Sequence, residues 1–230
     1  MKRDMRDLKY PRTYHLPTSP GLQSDDRRIP SLVPFLGKRI VITEKMDGEC
    51  TTLTPERTYA RSPDTGYHPS RDWLKAFHAR RTMDIPAGWR ITGEYLYARH
   101  SVPYSSATGN ALRSFFYGFG VWNEENVLLD WDTTIETLTL LNVEAVPVLY
   151  DGPFDERVIA EIAGSVDPSR QEGFVVRIAD KMPYPDGPGS GRFFDAIAKW
   201  VRPEHVMSER HWMAGPVIPN ELADGIPASP

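Results

Sequence analysis

Glu44-Lys45-Met46-Asp47-Gly48-Glu49 follows the apolar run Ile40-Val41-Ile42, so a lysine and a turn-forming Asp-Gly pair stand at the end of a strand-like segment. An amine in that setting can be a nucleophile rather than a solvated charge. Attack on a nucleotide phosphate would need the amine desolvated enough to lose its proton near neutrality, and a tight turn through which the phosphate can approach. Asp47-Gly48 supplies such a turn. A hairpin beside a surface lysine has the same spelling, and Lys-x-Asp-Gly alone does not separate the two. Four later segments bear on the choice: Gly93-Glu94-Tyr95-Leu96-Tyr97, Phe115-Phe116-Tyr117-Gly118-Phe119-Gly120-Val121-Trp122, Gln171-Glu172-Gly173-Phe174-Val175-Val176-Arg177 and Ala198-Lys199-Trp200-Val201-Arg202.

The pattern predicts the elements that must position these residues. Strands are expected over 39–43, 49–54 and 57–61 as an antiparallel meander, then over 89–97, 114–122, 173–178 and 193–201. Helices are expected over 69–81, over 132–141 with Asp132 or Thr133 as cap, and over 155–163 with a stop at Gly164. The segment 183–191 is too rich in glycine and proline for a regular element. Strand clusters with interspersed helices imply an α+β domain of antiparallel sheets with flanking helices. The organisation read from this pattern is an extended N-terminal arm over 1–37, one domain over 38–214 and a flexible C-terminal tail over 215–230.

The chain has 230 residues, 40% of them hydrophobic, enough for one substantial core. Its formal charge of −4 argues against a nucleic-acid coat or packaging protein, but not against an enzyme of nucleic acids with a local basic track. Basic residues clump at Lys2, Arg3, Arg6, Lys9 and Arg12, and again at Arg71, Lys75, Arg80 and Arg81. The arm is also aromatic, with Tyr10, Tyr14 and His15, a mix suited to a polynucleotide or to an arm tied across the domain. No run approaches the ~18 apolar residues of a membrane span, and the start lacks a signal-peptide core, so a cytoplasmic protein without membrane partners is expected. Cys50, the only cysteine, reads as a packed strand residue.

The ordered segments, over about residues 39 to 202, resemble the covalent nucleotidyltransferases, the superfamily of ATP-dependent ligases and capping enzymes, and most closely the RNA ligase family on the branch of RNA ligase 2. The resemblance implies a nucleotidyltransferase (ATP-grasp-like ligase) domain with the nucleotide between two sheets. It implies ATP and Mg2+ (or Mn2+) as cofactors, and RNA with 5′-phosphate and 3′-OH ends as partner. Lys45 would attack the α-phosphate to form lysyl-AMP, deprotonated with the help of low solvation and nearby positive charge. Glu44, Met46 and Gly48 would line the nucleotide site around it. Glu94 would bind the ribose hydroxyls, Phe119 would stack on the base, and Arg61 would contact the nucleotide or a polynucleotide phosphate. Glu172 would bind the metal, and Lys199 would contact the α-phosphate. Arg12, His15 and Arg202 are candidate nucleic-acid contacts. Two departures stand out: Gly120 where close relatives carry an aspartate, and Lys199-Trp200-Val201-Arg202 in place of Lys-x-Lys. Residues three apart on a strand do not share a face, so Arg202 is not expected to aim with Lys199.

The implied activity is sealing of RNA ends through lysyl-AMP and an adenylylated 5′ end. Two alternatives carry the same motifs: a minimal DNA ligase or guanylyltransferase, and a module that adenylylates without sealing. With Arg202 near the end of the sequence, a domain without a C-terminal barrel is expected. The closing function of a second domain would then fall to the arm, to 202–215, to a homodimer or to a partner protein.

Overall fold

The computed structural model describes residues 8–22, 26–62, 68–187, 189, 191–203 and 216–229. In chain order the elements are β1 (Tyr14–His15), β2 (Arg39–Lys45), β3 (Glu49–Leu53), β4 (Thr58–Ala60), α1 (Asp72–Ala79), β5 (Arg90–Tyr95), β6 (Phe116–Trp122), β7 (Val127–Leu128), α2 (Trp131–Leu140), β8 (Glu144–Ala145), β9 (Val148–Pro153), α3 (Glu156–Ser165), β10 (Gly173–Ile178), β11 (Met182–Pro183), α4 (Arg192–Ala196) and β12 (Ile197–Val201). A five-stranded sheet runs β1-β12-β10-β2-β9, and a seven-stranded sheet runs β11-β7-β6-β5-β3-β4 with β8 beside β6. Both orders are open, and pairing is antiparallel except at β1/β12 and β6/β8. The expected α+β class holds.

β2 is buried on both faces. Val41 joins a core cluster with Leu53, Ile91 and Phe116, while Ile40 and Ile42 join a second with Phe174, Val176, Ile159 and Phe193. Burial on both faces is why β2 reads as a continuous apolar run. The expected meander fails at its first link. β2 pairs with β9 and β10, whereas β3 pairs with β4 and β5. Met46-Asp47-Gly48 therefore crosses from one sheet to the other and is not a hairpin turn. Gly48 is needed sterically, because a Cβ there would lie 2.5 Å from the Tyr95 carbonyl oxygen.

Other departures have local causes. The first half of the expected strand over 193–201 is helix α4, entered through Gly191 at φ 94° and burying Phe193, Phe194 and Ala196. A short apolar run does not distinguish helix from strand. α2 is capped by Asp130, whose carboxylate accepts from Thr133 N–H at 3.0 Å, while Asp132 instead pairs with Arg39. α3 runs through Gly164 to Ser165. β9 was not expected: it is an edge strand with mostly exposed side chains and a glycine and proline of its own.

The first and last described segments are built into the fold. β1 pairs with β12, and Leu16 and Ile29 are buried beside it. Residues 216–229, expected to be unstructured, form a strap: Asn220 is buried, bridges join Ala98 to Pro219 and Leu112 to Leu222, and Trp73 donates to the Ala228 carbonyl at 2.9 Å. Residues 204–215, Lys2, Arg3 and Arg6 lie outside the described residues, as does the expected boundary at 214. The second basic clump is not a surface track. Arg71 is buried and paired with Glu49, and Arg81 is buried with bonds to the Phe77, Leu141 and Asn142 carbonyls.

Candidate active site

Strand register explains which side chains meet. Thr43 pairs with Val175 and Val175 with Lys199, while Val41 pairs with Arg177 and Arg177 with Ile197. Directly paired residues share a face, so the rows Thr43–Lys45, Val175–Arg177 and Ile197–Lys199 point the same way. They form one wall of a cavity of about 290 Å³. Cys50, Glu94 and Phe119 of the seven-stranded sheet form the facing wall, Arg61 stands at its edge, and Tyr10 to Thr13 and Asp26 of the arm complete it.

Lys45, at the end of β2, extends its Nζ to 2.5 Å from Glu172 Oε2, with Glu172 only 7% exposed. Desolvation by burial favours the neutral amine, but Glu172, Glu94 and Asp47 together outweigh it and hold the pKa above the ordinary lysine range. The amine is an ammonium in this state, contrary to the expected lowering. The reason is the company of carboxylates. Lys199 differs. Burial, with Lys45 nearby, holds its pKa below the ordinary range against the pull of Asp26, whose Oδ1 lies 3.3 Å from Nζ.

The crossing loop is tied down on each side. Asp47 Oδ2 accepts from Val102 N–H at 2.7 Å, Asp47 N–H donates to the Tyr104 hydroxyl at 2.9 Å, and Gly48 N–H donates to Glu94 Oε1 at 3.1 Å. Burial pushes the Glu94 carboxyl up to about 8, with Glu172 and Asp47 adding to the rise and Lys45 opposing it. Burial thus works against ionisation of Glu94. Glu44 and Met46 also line the cavity, Glu44 with its carboxyl raised by burial. Desolvation raises the Cys50 thiol, which stays protonated, in keeping with a packed role.

Phe119 packs edge-on against Tyr10, ring centroids 5.1 Å apart. Arg61 Nε donates to the Tyr10 carbonyl at 3.4 Å. Arg12 is 41% exposed beside Asp26. His15, expected as a nucleic-acid contact, is fully buried instead, with Nδ1 2.8 Å from Ser19 Oγ and Nε2 3.0 Å from Asp26. It faces inward because β1 is paired to β12, with His15 opposite Lys199. Arg202 lies off the cavity and donates from Nε to the Gln171 carbonyl at 3.1 Å.

Sequence reasoning assigned no role to Arg177 or Asp26, and read Tyr10 only as part of an aromatic arm. Arg177 donates to the Leu129 carbonyl at 2.9 Å and lies over the Trp131 ring, and burial lowers its pKa to about 10, so it stays charged beneath the cavity. An arginine between the apolar residues Phe174-Val175-Val176 and Ile178-Ala179 was the available signal. Among the described residues no group of three or more His, Cys, Asp or Glu could hold a metal ion. A lone carboxylate such as Glu172 suits a hard divalent cation that shares its coordination with phosphate oxygens and water.

Residues 38–201 match the sequence profile of the family described as RNA ligase. No curated protein matches the chain. Among solved structures it is similar to an archaeal ATP-dependent RNA ligase (TM-score 0.55, 15% identity, 84% of this chain and 48% of that one). It is also similar to an apo mutant of Naegleria gruberi RNA ligase (TM-score 0.51, 17% identity, 84% of this chain and 57% of that one) and to another mutant of that ligase with ATP and Mn (TM-score 0.50, 16% identity, 86% and 60%). The chain thus spans about half to three-fifths of the length of these neighbours, and at such identities the likeness is one of fold. With the two facing sheets, the ordered motifs converging on one cavity and a profile match over most of its length, the chain belongs to the RNA ligase family.

Proposed function

We propose that the chain is an ATP-dependent RNA ligase that seals 3′-OH and 5′-phosphate ends. The observation that carries this reading is the convergence of Lys45, Lys199, Glu94 and Phe119 on one cavity between two sheets, with Glu172 paired to the Lys45 amine. In the first step the Lys45 amine attacks the α-phosphorus of ATP, a P–N bond forms and pyrophosphate departs. A 5′-phosphate oxygen of RNA then displaces the lysine to give a 5′-5′ pyrophosphate-linked adenylate. Finally a 3′-hydroxyl attacks that 5′-phosphate and AMP departs. These are phosphoryl transfers, in which the protein chiefly positions and neutralises.

The residues divide that labour. Lys45 must leave its ion pair with Glu172 and lose a proton before it attacks. Glu172 would hold Mg2+ or Mn2+, which supplies positive charge against the phosphate oxygens. Lys199 bears on the same oxygens, and Arg177 adds a fixed charge beneath them. Glu94, protonated or not, offers oxygens to the ribose, and Phe119 offers a face to the base once Tyr10 yields or joins the stack. Family membership favours RNA joining over a DNA ligase or a guanylyltransferase. No described helix is long and apolar enough to cross a membrane, and we read the site of action as cytoplasmic.

Incubation with α-labelled ATP and a divalent metal, then with 5′-phosphorylated RNA, tests the reading. Wild type is expected to take up label and pass it on as RNA is joined, and Lys45→Ala to take up none. A folded wild type that acquires no label removes the mechanism.

A further inference from the structure

Lys45 is held by a loop whose anchor lies far outside the motifs. Tyr104, 2% exposed, accepts the Asp47 N–H through its hydroxyl, two residues beyond the nucleophile. It belongs to the stretch between β5 and β6, where the described backbone forms no helix or strand of its own and only isolated bridges to the strap. Such a stretch must find partners for its buried polar groups elsewhere.

The strap provides them. Tyr104 N–H donates to Asn220 Oδ1 at 3.1 Å and the Tyr104 carbonyl accepts from Glu221 N–H at 2.9 Å, so the residue is gripped from both sides of its own backbone. The Asn220 amide also donates through Nδ2 to the Leu96 carbonyl at 2.8 Å, at the end of the strand that carries Glu94. Asn220 itself is 5% exposed. One side chain therefore fixes Tyr104 relative to β5, and Tyr104 fixes the loop after Lys45 relative to the same strand. The amide accepts from Tyr104 through its oxygen and donates to Leu96 through its nitrogen at once, which a carboxylate or an aliphatic side chain cannot do.

We propose that the C-terminal strap is a positioning element for the nucleophile, acting through Asn220 and Tyr104 on the Lys45 loop, and that it sets the rate of lysine adenylylation. The inference rests on the ligase reading above. A loop shifted by an ångström moves the amine off the line of attack, which is costly for the step in which lysine is the nucleophile. Sealing of an already adenylylated RNA end does not use lysine as nucleophile and should feel the shift far less.

The test compares the two steps in the chain of 230 residues. Tyr104→Phe keeps the ring and the backbone bonds and removes only the hydroxyl. It is expected to slow labelling by ATP about tenfold or more, while sealing of chemically pre-adenylylated RNA stays within about twofold and the melting temperature within a few degrees. Asn220→Ala should show the same split, and Asn220→Asp, which still accepts from Tyr104, should restore part of the labelling rate. The proposal is overturned if the two steps fall together in proportion to lost stability, or if Tyr104→Phe labels like wild type. A folded wild type that takes no label overturns the ligase reading itself, and this inference with it.

Discussion

The two walls of the cavity are built from the same kind of strand yet differ in character. The five-stranded sheet presents Lys45, Lys199 and Arg177, with Glu172 paired to Lys45, whereas the seven-stranded sheet presents Phe119, a protonated thiol and a carboxyl that burial pushes towards its neutral form. The contrast teaches where binding energy can act. Charges aimed at a reacting phosphate strengthen as its charge redistributes, and so lower the barrier. Neutral contacts to a nucleoside are equal in ground and transition states and lower only KM.

The contrast can be broken first at Lys199. Lys199→Ala is expected to reduce kcat for self-adenylylation about 10²- to 10³-fold, with KM for ATP moving much less. A change confined to KM would erase the division between the walls. The second test uses pH, because the charged wall is backed by a buried titratable group. Burial lowers His15 to about 4, with Lys199 and Lys45 lowering it further and Asp26 opposing. An unfolded His15 binds its proton near its ordinary value of 6.5, so between about 6.5 and 4 the unfolded chain holds the extra proton. This contribution is fully present above pH 6.5 and is lost as pH falls towards 4. Its size is roughly 2 to 3 kcal/mol. Denaturant unfolding of wild type and His15→Gln across that window measures it, and equal pH slopes would assign the acid sensitivity elsewhere. The smallest effect is expected on the neutral wall. Phe119→Ala should raise KM for ATP about tenfold and leave kcat within a few-fold. A large loss in kcat would mean that the aromatic does more than hold the base.

Legibility followed the physics of each region. The motif strands declared themselves because alternation or a double-sided apolar run needs only local sequence, and β10 was read to the residue. What failed depended on partners distant in the chain. Nothing within Glu44 to Glu49 says that β2 and β3 belong to different sheets. β9 hid because an exposed edge strand has no apolar period. The pairing of His15 with Lys199 across β1 and β12, and the docking of Asn220, are tertiary bonds of proline-rich segments that look alike whether bound or free. The charge state of Lys45 was likewise illegible, since desolvation and three carboxylates pull in opposite directions and only their distances decide the winner.

The crossing between the sheets also bears on how the molecule comes to exist. β3, β4, β5 and β6 pair with near neighbours in the chain, so their ladder closes short loops and can form early. β2 waits for β9 and β10, and the Lys45–Glu172 pair joins residues 127 positions apart. β1 waits longer still, because its partner β12 comes from the other end of the chain. The nucleophile thus stands at the seam between a fast, local half and a slow, nonlocal one. A chain emerging from the ribosome carries its lysine early but acquires a reaction centre only when the last strands arrive, so assembly itself delays chemistry until folding is nearly complete.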